Sequence, residues 1–381
     1  MKRLIVLTLF IMSGLGLLSA IAQHTQPPNW KGKVETRDGL ETVVNPQAPL
    51  YGRLELELQE DLRIGLEGDK NAQFWFVNGV QVDDDANIYV SDAKNFRIQV
   101  FDRNGRYLRT LGRQGQGPGE FQQISLLRIN SPLGRLYVRD IPARKIVILD
   151  LEGKYLGSVP TKDVVLNFYP LDDGGFVAAV SVFSEADLKT THDLIKMNAK
   201  GEVISRQGGF LSNPFTERSS MGIMGVHTGF ELEVRLAQLD ADRFAYGFSE
   251  RYEWTIVDKD MKPLRHFVKE GRPPTFTEEE KSGFKRIPLP KAKPFFFNAI
   301  SDCKGRIYVQ KNFTKNKSTV QDDIPMEVDV FSPEGYFIYT TTLPPNTHVI
   351  RDGLLYAYHV NFDKGLETVV RYRVKNWDRI K

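Results

Sequence analysis

The fold of this chain is indicated by one stretch of sequence. It reads Asn87-Ile-Tyr-Val-Ser-Asp92, then Ile98-Gln-Val-Phe-Asp-Arg-Asn-Gly105, then Tyr107-Leu-Arg-Thr-Leu-Gly112. Each segment is short, rich in β-branched and aromatic residues, and bordered by turn-forming Asp, Asn or Gly. The stretch therefore predicts three short strands that are joined by two tight turns.

The same order of strands and turns recurs in degraded form along the chain. Its clearest marker is a turn with a side-chain acceptor first and Gly fourth. This turn is found as Asp102-Arg-Asn-Gly105, Asp150-Leu-Glu-Gly153, Asn198-Ala-Lys-Gly201 and Ser332-Pro-Glu-Gly335, while Asp258-Lys-Asp-Met261 lacks the Gly. The acceptor can bind the backbone ahead of it, and Gly tolerates a positive φ. Recurrence of one such unit predicts a repeat architecture.

Five complete units and one incomplete unit follow from this pattern. The complete units run from Val80 to Gly112, Leu127 to Val159, Phe168 to Gln207, Val234 to Phe267 and Ala299 to Thr342. The sixth, from Val349 onward, supplies three strands, and the alternating stretch Tyr51-Gly-Arg-Leu-Glu-Leu-Glu-Leu58 fits the missing one. Because closure removes unpaired edges, we predict an all-β, six-bladed β-propeller of four-stranded antiparallel blades, closed by an N-terminal strand that completes the C-terminal blade.

The first unit also resembles a known repeat. Residues Ile88 to Asp92, Asn95, Arg97 to Asp102 and Gly105 resemble the NHL repeat, and Gly112-Arg-Gln-Gly-Gln-Gly-Pro-Gly-Glu-Phe121 resembles the glycine-rich link that follows it. The whole chain resembles exported bacterial six-bladed β-propeller proteins of the NHL-repeat or TolB-like kind. This resemblance implies the fold but no particular reaction, because propellers host unrelated activities.

The N-terminal residues are expected to direct export. A basic start, an apolar run and the small-x-small pattern Ala20-Ile-Ala22 mark residues 1–22 as a secretory signal peptide. Residues 23–49, rich in Pro, Gln, Asn and charge, are predicted to be a flexible leader, and residues 50–381 a single propeller domain. We therefore expect a bacterial protein in the periplasm or secreted, with no membrane span after signal cleavage.

The charge balance bears on possible partners. The chain has 51 basic and 48 acidic side chains, with a formal net charge of +3 at pH 7. Nucleic-acid binding depends on a strongly basic surface, so we expect no nucleic-acid partner. Charged residues make up 26% and apolar residues 41%, which is ordinary for a soluble globular protein, and we expect a monomer.

The places where the repeat spacing breaks are the expected functional regions. Two insertions, at about residues 207–233 and 270–296, should lie on the propeller face that carries the loops between second and third strands. Long loops on a rigid scaffold often carry function, so we expect a protein, peptide or glycan partner at this loop-rich face. The candidate ligand residues there are Arg139, Arg144, Arg218, His227, Arg251 and His359. An arginine guanidinium matches a carboxylate or phosphate in a forked geometry.

The starts of the inner strands suggest an alternative. Asn78, Asn167, Glu233 and Asn298 fall near equivalent places in four blades, and oxygen ligands that converge on a channel mouth would suit Ca²⁺. Six-bladed gluconolactonase-like and paraoxonase-like enzymes, which this arrangement resembles, use Asn, Asp and Glu in that manner. A polar, water-filled channel explains the same residues and is favoured. The leading hypothesis is therefore a binding or scaffold propeller without a cofactor, and the alternative is a Ca²⁺-dependent hydrolase or lyase of the gluconolactonase or lactonase type.

Overall fold

The computed structural model describes residues 26–65, 68–212, 215–219, 222–226, 228–284, 289–311, 324–361 and 366–381. Over these ranges the chain forms short β-strands with one α-helix and two 3-10 helices. None of the helices in these ranges combines the length and apolar character needed to cross a membrane. The predicted signal peptide lies outside the described residues.

Three strands precede the first blade, and three blades follow them. The first strands are β1 (Lys33–Arg37), β2 (Leu40–Asn45) and β3 (Leu58–Ile64). Blade 1 contains β4 (Val77–Val82), β5 (Ile88–Asp92), β6 (Arg97–Phe101) and β7 (Tyr107–Leu111). Blade 2 contains β8 (Ile124–Asn130), β9 (Arg135–Asp140), β10 (Lys145–Asp150) and β11 (Tyr155–Pro160). Blade 3 contains β12 (Val164–Pro170), β13 (Phe176–Ser184), β14 (Lys189–Met197) and β15 (Val203–Ser212).

The second half of the chain supplies a hairpin, a helix and three further blades. The hairpin is β16 (Phe215–Ser219) and β17 (Gly222–Val226). Blade 4 contains β18 (Val234–Gln238), β19 (Arg243–Phe248), β20 (Glu253–Asp258) and β21 (Pro263–Lys269), and is followed by α1 (Glu278–Gly283). Blade 5 contains β22 (Asn298–Ser301), β23 (Ile307–Gln310), β24 (Met326–Phe331) and β25 (Phe337–Leu343). Blade 6 begins with β26 (Thr347–Arg351), β27 (Leu354–Asn361) and β28 (Leu366–Val374). The 3-10 helices are Ala93–Asn95 and Trp377–Arg379.

The six blades form a closed ring. The first strand of each blade lies inside, and these inner strands contact one another in the order β4, β8, β12, β18, β22, β26 and back to β4. Apolar side chains from facing blades fill the space between them; Tyr137 and Phe176, for example, are fully buried between blades 2 and 3. The predicted six-bladed propeller is confirmed.

An N-terminal strand closes the ring, but it lies further along the chain than expected. Strand β3 pairs antiparallel with β28 as the fourth strand of blade 6. The predicted segment, residues 51–58, reaches β3 only at Leu58, and its first half runs instead beside the outer strand of blade 5. There the Tyr51 amide donates to the Ile338 carbonyl at 2.9 Å and the Leu54 amide to that of Thr340 at 2.8 Å. Alternating side chains mark an extended segment, but they do not specify which edge it joins.

Part of the segment that was predicted to be a flexible leader forms two strands in the structure. Strands β1 and β2 form a hairpin, and β2 pairs in parallel with β21, which extends the sheet of blade 4 to six strands. Val43 is fully buried, and the amide group of Asn45 donates to the Gly335 carbonyl and accepts from the Phe337 amide, both at 2.8 Å. Burial and these bonds hold residues 33–45 against blades 4 and 5, so the prediction of a flexible leader is wrong for this segment.

The two ends of the ring differ. We call the end with the links between blades and the loops between second and third strands the loop end, and the opposite end the turn end. The repeated turns lie at the turn end: Asp102 accepts backbone bonds from Asn104 at 2.8 Å and Arg106 at 2.9 Å. The same pair of bonds recurs at Asp150, Asn198, Asp258 and Ser332. In the repeat that lacks Gly, Met261 itself adopts a φ of 64°.

Both insertions belong to the loop end, and their described parts contact one another. Strand β15 continues to Ser212, so the first insertion begins about five residues later than predicted. In the second insertion, α1 begins with a capping box between Thr277 and Glu280. The Phe230 ring of the first insertion meets those of Phe276 and Phe284 in the second, at centroid distances of 4.9 and 6.0 Å. The two insertions are therefore joined by an aromatic cluster.

Candidate functional site

A central channel runs between the six inner strands. Its cavity has a volume of about 710 Å³ and is lined by side chains from every inner strand. Arg128 is held at its wall by bonds to the carbonyl of Phe168 at 3.1 Å and to the side-chain oxygen of Asn167 at 2.6 Å, with its guanidinium 4.7 Å from the centre of the Tyr169 ring. The channel lining thus contains both polar and apolar side chains, and Arg128 connects blades 2 and 3 within it.

The Asn residues predicted as metal ligands in blades 1 and 3 form hydrogen bonds to the neighbouring blades. The amide of Asn78 donates to the Ile124 carbonyl at 2.9 Å, and its oxygen accepts from Ser91 at 2.5 Å. The amide of Asn167 donates to the Leu236 carbonyl of blade 4 at 3.0 Å. These bonds use the amide groups to fix neighbouring inner strands.

The two other predicted metal ligands lie in blades 4 and 5. Glu233 is ion-paired with Arg235 at 2.5 Å, and Asn298 lines the channel cavity. Among the described residues, no group of three or more His, Cys, Asp or Glu is arranged to hold a metal ion. The Ca²⁺ site therefore stays a prediction from the sequence.

The predicted ligand residues of blade 2 are bound to their own blade. Arg139 donates from Nε to the Ser125 hydroxyl at 2.7 Å. Burial, together with the nearby guanidinium of Arg128, lowers the pKa of Arg139 to about 10. Arg144 is exposed and donates to the carbonyl of Lys162. Both side chains thus lie near the loop end, with bonds to adjacent strands and loops.

The remaining predicted ligand residues lie in other parts of the ring. Arg251 is exposed in blade 4, 4.0 Å from the carboxylate of Glu253. His359 in blade 6 has Nε2 2.8 Å from the hydroxyl of Tyr372. Arg218 lies in β16, but its side chain is outside the described part of the structure, as is all of His227. Among the predicted ligand residues with described side chains, only Arg251 lines either of the cavities described here.

A second cavity, which the sequence did not suggest, lies between blades 3 and 4. This lateral groove has a volume of about 420 Å³. Its lining includes Phe210 of β15, Tyr246 and Phe248 of β19, His266 of β21, and Arg251. The alternation Phe244-x-Tyr246-x-Phe248 was the available signal, because it places three aromatic rings on one face of a strand.

The loop end also presents an aromatic pair that the sequence did not single out. Trp75 is 65% exposed and Phe76 is 51% exposed, and Phe76 lies at the mouth of the channel cavity. Their backbone is nevertheless held by hydrogen bonds. The Trp75 amide donates to the buried carboxylate of Asp92 at 2.7 Å, and the Phe76 carbonyl accepts from the Ala93 amide at 3.1 Å. Phe76 has a φ of 69°, which is strained for an aromatic residue.

Comparisons with known proteins agree with this fold. The family model for a domain of unknown function, DUF4934, matches residues 66–320. No curated protein matches the sequence significantly. A solved structure from Bacteroides fragilis NCTC 9343, described as a candidate exported protein, is similar over 87% of this chain and 100% of its own, with 11% identity and a TM-score of 0.56. A DUF4221 member from Bacteroides vulgatus ATCC 8482 is similar over 84% and 99%, with 12% identity and a TM-score of 0.53.

Proposed function

Since the chain belongs to the DUF4934 family of domains of unknown function, its role has to be inferred from its own surface, and we propose that it is an extracytoplasmic binding propeller. In this proposal the loop end binds a protein or peptide partner. The main observation behind this proposal is the pair Trp75 and Phe76, whose side chains are exposed while their backbone is held by hydrogen bonds.

This pair has the properties of a binding anchor. Large aromatic residues that become buried in a complex supply much of the affinity of protein interfaces. Because hydrogen bonds fix the backbone of Trp75 and Phe76 at both residues, little conformational entropy remains to be lost when a partner binds. A strained φ at Phe76 persists only where the surroundings enforce it, and such positions concentrate at functional sites.

The surroundings of the pair support the same proposal. Phe76 lies at the channel mouth, and Phe297, 6.1 Å from Phe230 of the aromatic cluster, lines the same cavity. The cluster orders the described parts of two long loops, which would otherwise be costly to fix in one conformation. The loop end thus combines an exposed aromatic pair on a hydrogen-bonded backbone with two neighbouring loops whose described parts are held together by the aromatic cluster.

Two sequence features support a location outside the cytoplasm. The N-terminal pattern of residues 1–22 is that of a signal peptide, and the first blade resembles the repeat of exported NHL-repeat or TolB-like propellers. The similar structure from Bacteroides fragilis, described as a candidate exported protein, is consistent with this location.

The proposal is tested by selecting a random-peptide display library on the wild-type protein. We expect enriched peptides whose affinity falls by about thirtyfold or more in Trp75→Ala and in Phe76→Gly. Phe76→Gly is informative because Gly adopts a positive φ readily, so this variant should keep its stability while it loses the aromatic ring.

The matched control is Leu156→Ala, which removes a 47% exposed apolar side chain from the outer strand of blade 2. This variant should bind the selected peptides as the wild type does. Failure to enrich any peptide, or binding that is equal in the wild type and both aromatic variants, would refute a partner site at this pair.

A further inference from the structure

The lateral groove exists because two neighbouring blades have different widths. Blade 4 has the strand order β1-β2-β21-β20-β19-β18, whereas blade 3 has four strands that end with β15. The two additional strands of blade 4 have no counterpart in blade 3, and Arg37, Asp38 and Thr42 of this N-terminal hairpin line the groove. A propeller of regular four-stranded blades would lack this part of the groove.

The floor of the groove is aromatic. The rings of Phe210 and Phe248 are stacked, with centroids 5.2 Å apart and an angle of 26° between their planes, and Tyr246 lies 6.4 Å from Phe210. All three side chains are partly exposed. Together the three rings form a mainly apolar patch that comes from two different blades.

The rim of the groove carries charges of both signs. Arg37, which ends β1, and Asp38, in the turn that follows, lie on one side, and Glu250, Arg251 and Glu253 lie on the other. Guanidinium groups only donate hydrogen bonds, and ionised carboxylates only accept them. The rim thus offers donors and acceptors close together, without one dominant sign of charge.

Neutral polar groups lie between the two charged sides. The Thr255 hydroxyl is 3.0 Å from Nδ1 of His266, and Thr42 lies beside His266 on the paired strand β2. Burial lowers the pKa of His266, so its imidazole is neutral at pH 7 and has one donor and one acceptor nitrogen.

We propose that the lateral groove binds a short, neutral oligosaccharide. A sugar ring has an apolar C–H face, which can pack on a partly exposed aromatic ring of the floor, and hydroxyl groups at its edges. A hydroxyl both donates and accepts, so it can bind a guanidinium and a carboxylate at once. An anionic ligand would meet three rim carboxylates, of Asp38, Glu250 and Glu253, against two guanidinium groups, so it gains no net electrostatic attraction from the rim.

The groove is less suited to an added peptide strand. Such a strand needs a continuous row of free backbone groups. Strand β15 contributes only Phe210 to the groove lining. Its register shifts at Gly209, because Phe210 pairs with His192 and Gly208 with Asp193, and this bulge interrupts the edge. The groove therefore offers mainly side chains to its ligand.

The test is calorimetric titration of the full-length mature protein with neutral trisaccharides: maltotriose, cellotriose, xylotriose, mannotriose and chitotriose. Trigalacturonic acid and sialyllactose serve as anionic comparisons, and peptides selected at the loop end as a peptide comparison. We expect at least one neutral trisaccharide to bind with a dissociation constant of about 1 mM or tighter. Phe248→Ala and Arg251→Ala should each weaken this binding by about tenfold or more.

Arg251 is exposed, so Arg251→Ala should fold even if Phe248→Ala does not. Trp75→Ala, at the loop end, is the matched control and should leave sugar binding unchanged. The loop-end and groove proposals can therefore fail separately. No binding by any neutral trisaccharide, binding that survives both groove variants, a preference for the anionic sugars, or peptide binding that weakens in the two groove variants would overturn the groove proposal.

Discussion

The two ends of this propeller are built from the same strands but have different properties. At the turn end, the side chains that open the repeated turns accept hydrogen bonds from their own backbone, as at Asp102 and Asp150. At the loop end, Trp75 and Phe76 have exposed rings and hydrogen-bonded backbones, and Phe76 has a strained φ. Polar groups satisfied within one blade have little left to offer a partner, so we expect the turn end to serve as scaffold and the loop end to bind.

The largest expected effect is the loss of a buried carboxylate at the turn end. Asp302 accepts from the Arg306 side chain at 2.6 Å and from the Tyr308 hydroxyl at 3.0 Å, and both Asp302 and Arg306 are buried. Asp302→Ala leaves the Arg306 guanidinium without its counter-charge and should lower the free energy of unfolding by about 3–5 kcal/mol. Urea denaturation measures this loss.

The matched control is Asp84→Ala in the corresponding turn of blade 1. Asp84 is exposed and is paired with Arg351 at 2.7 Å, so its removal should cost less than about 1 kcal/mol. Equal losses in the two variants would show that buried contacts do not distinguish the turns, and the contrast between scaffold and binding ends would weaken.

A somewhat smaller effect is expected at the turn glycine of blade 5. Gly335 has a φ of 86°, and a Cβ atom there would lie 2.6 Å from side-chain atoms of Phe267 in blade 4. Gly335→Ala should therefore destabilise the protein by about 3 kcal/mol through both strain and overlap, measured as the shift in the urea midpoint.

Gly134→Ala distinguishes backbone strain from steric overlap, because Gly134 has a φ of 59° with open space around its Cβ position. It should cost about 1 kcal/mol. Peptide binding at the loop end should be unchanged in both folded variants. Loss of binding in either would mean that the turn end takes part in recognition.

The smallest expected effect is a pH dependence at the loop end. His192 is buried, accepts the Val234 amide of blade 4 at Nδ1 at 3.2 Å, and its pKa is lowered by burial despite opposing contributions from Glu233 and Asp193. The unfolded chain therefore takes up this proton at a higher pH than the folded protein. The stability that the neutral His192 contributes is complete above its unfolded pKa and decreases as pH falls below it.

We expect the wild type to lose more stability between pH 7.5 and pH 5.5 than His192→Gln, as measured by urea unfolding at each pH. Gln keeps a side-chain acceptor but has no proton to gain in this range. Parallel pH profiles for the two proteins would show that His192 does not titrate in this joint between blades 3 and 4.

Much of the scaffold could be predicted because its signals are local. The turns at Asp102 and Asp150 follow from an acceptor and a Gly three positions later, and the structure has the expected bonds. The strand that contains Val43 and Val44 was not predicted. Its partner is β21, with which β2 pairs in parallel and which lies more than two hundred residues later in the sequence. Strand alternation alone does not identify such a distant partner.

The candidate sites were less predictable. Arg139, Arg251 and His359 were grouped by their expected face, but they lie in blades 2, 4 and 6. The lateral groove depends on a hairpin whose position was not predicted, and Phe76 stands out only when its φ and exposure are known. Sequence spacing predicted which end of the ring a residue occupies, but not which side chains share a cavity.

By itself, the sequence determined the repeated unit, the number of blades and the closure of the ring by an N-terminal strand, because these depend on strand alternation and turn chemistry within short windows. Only the tertiary structure decided that residues 33–45 widen blade 4, that this leaves a groove beside Phe210, and that Trp75 and Phe76 are held exposed at the channel mouth. These features arise from contacts between segments that are far apart in the chain, and their energies depend on burial and geometry that no short window contains.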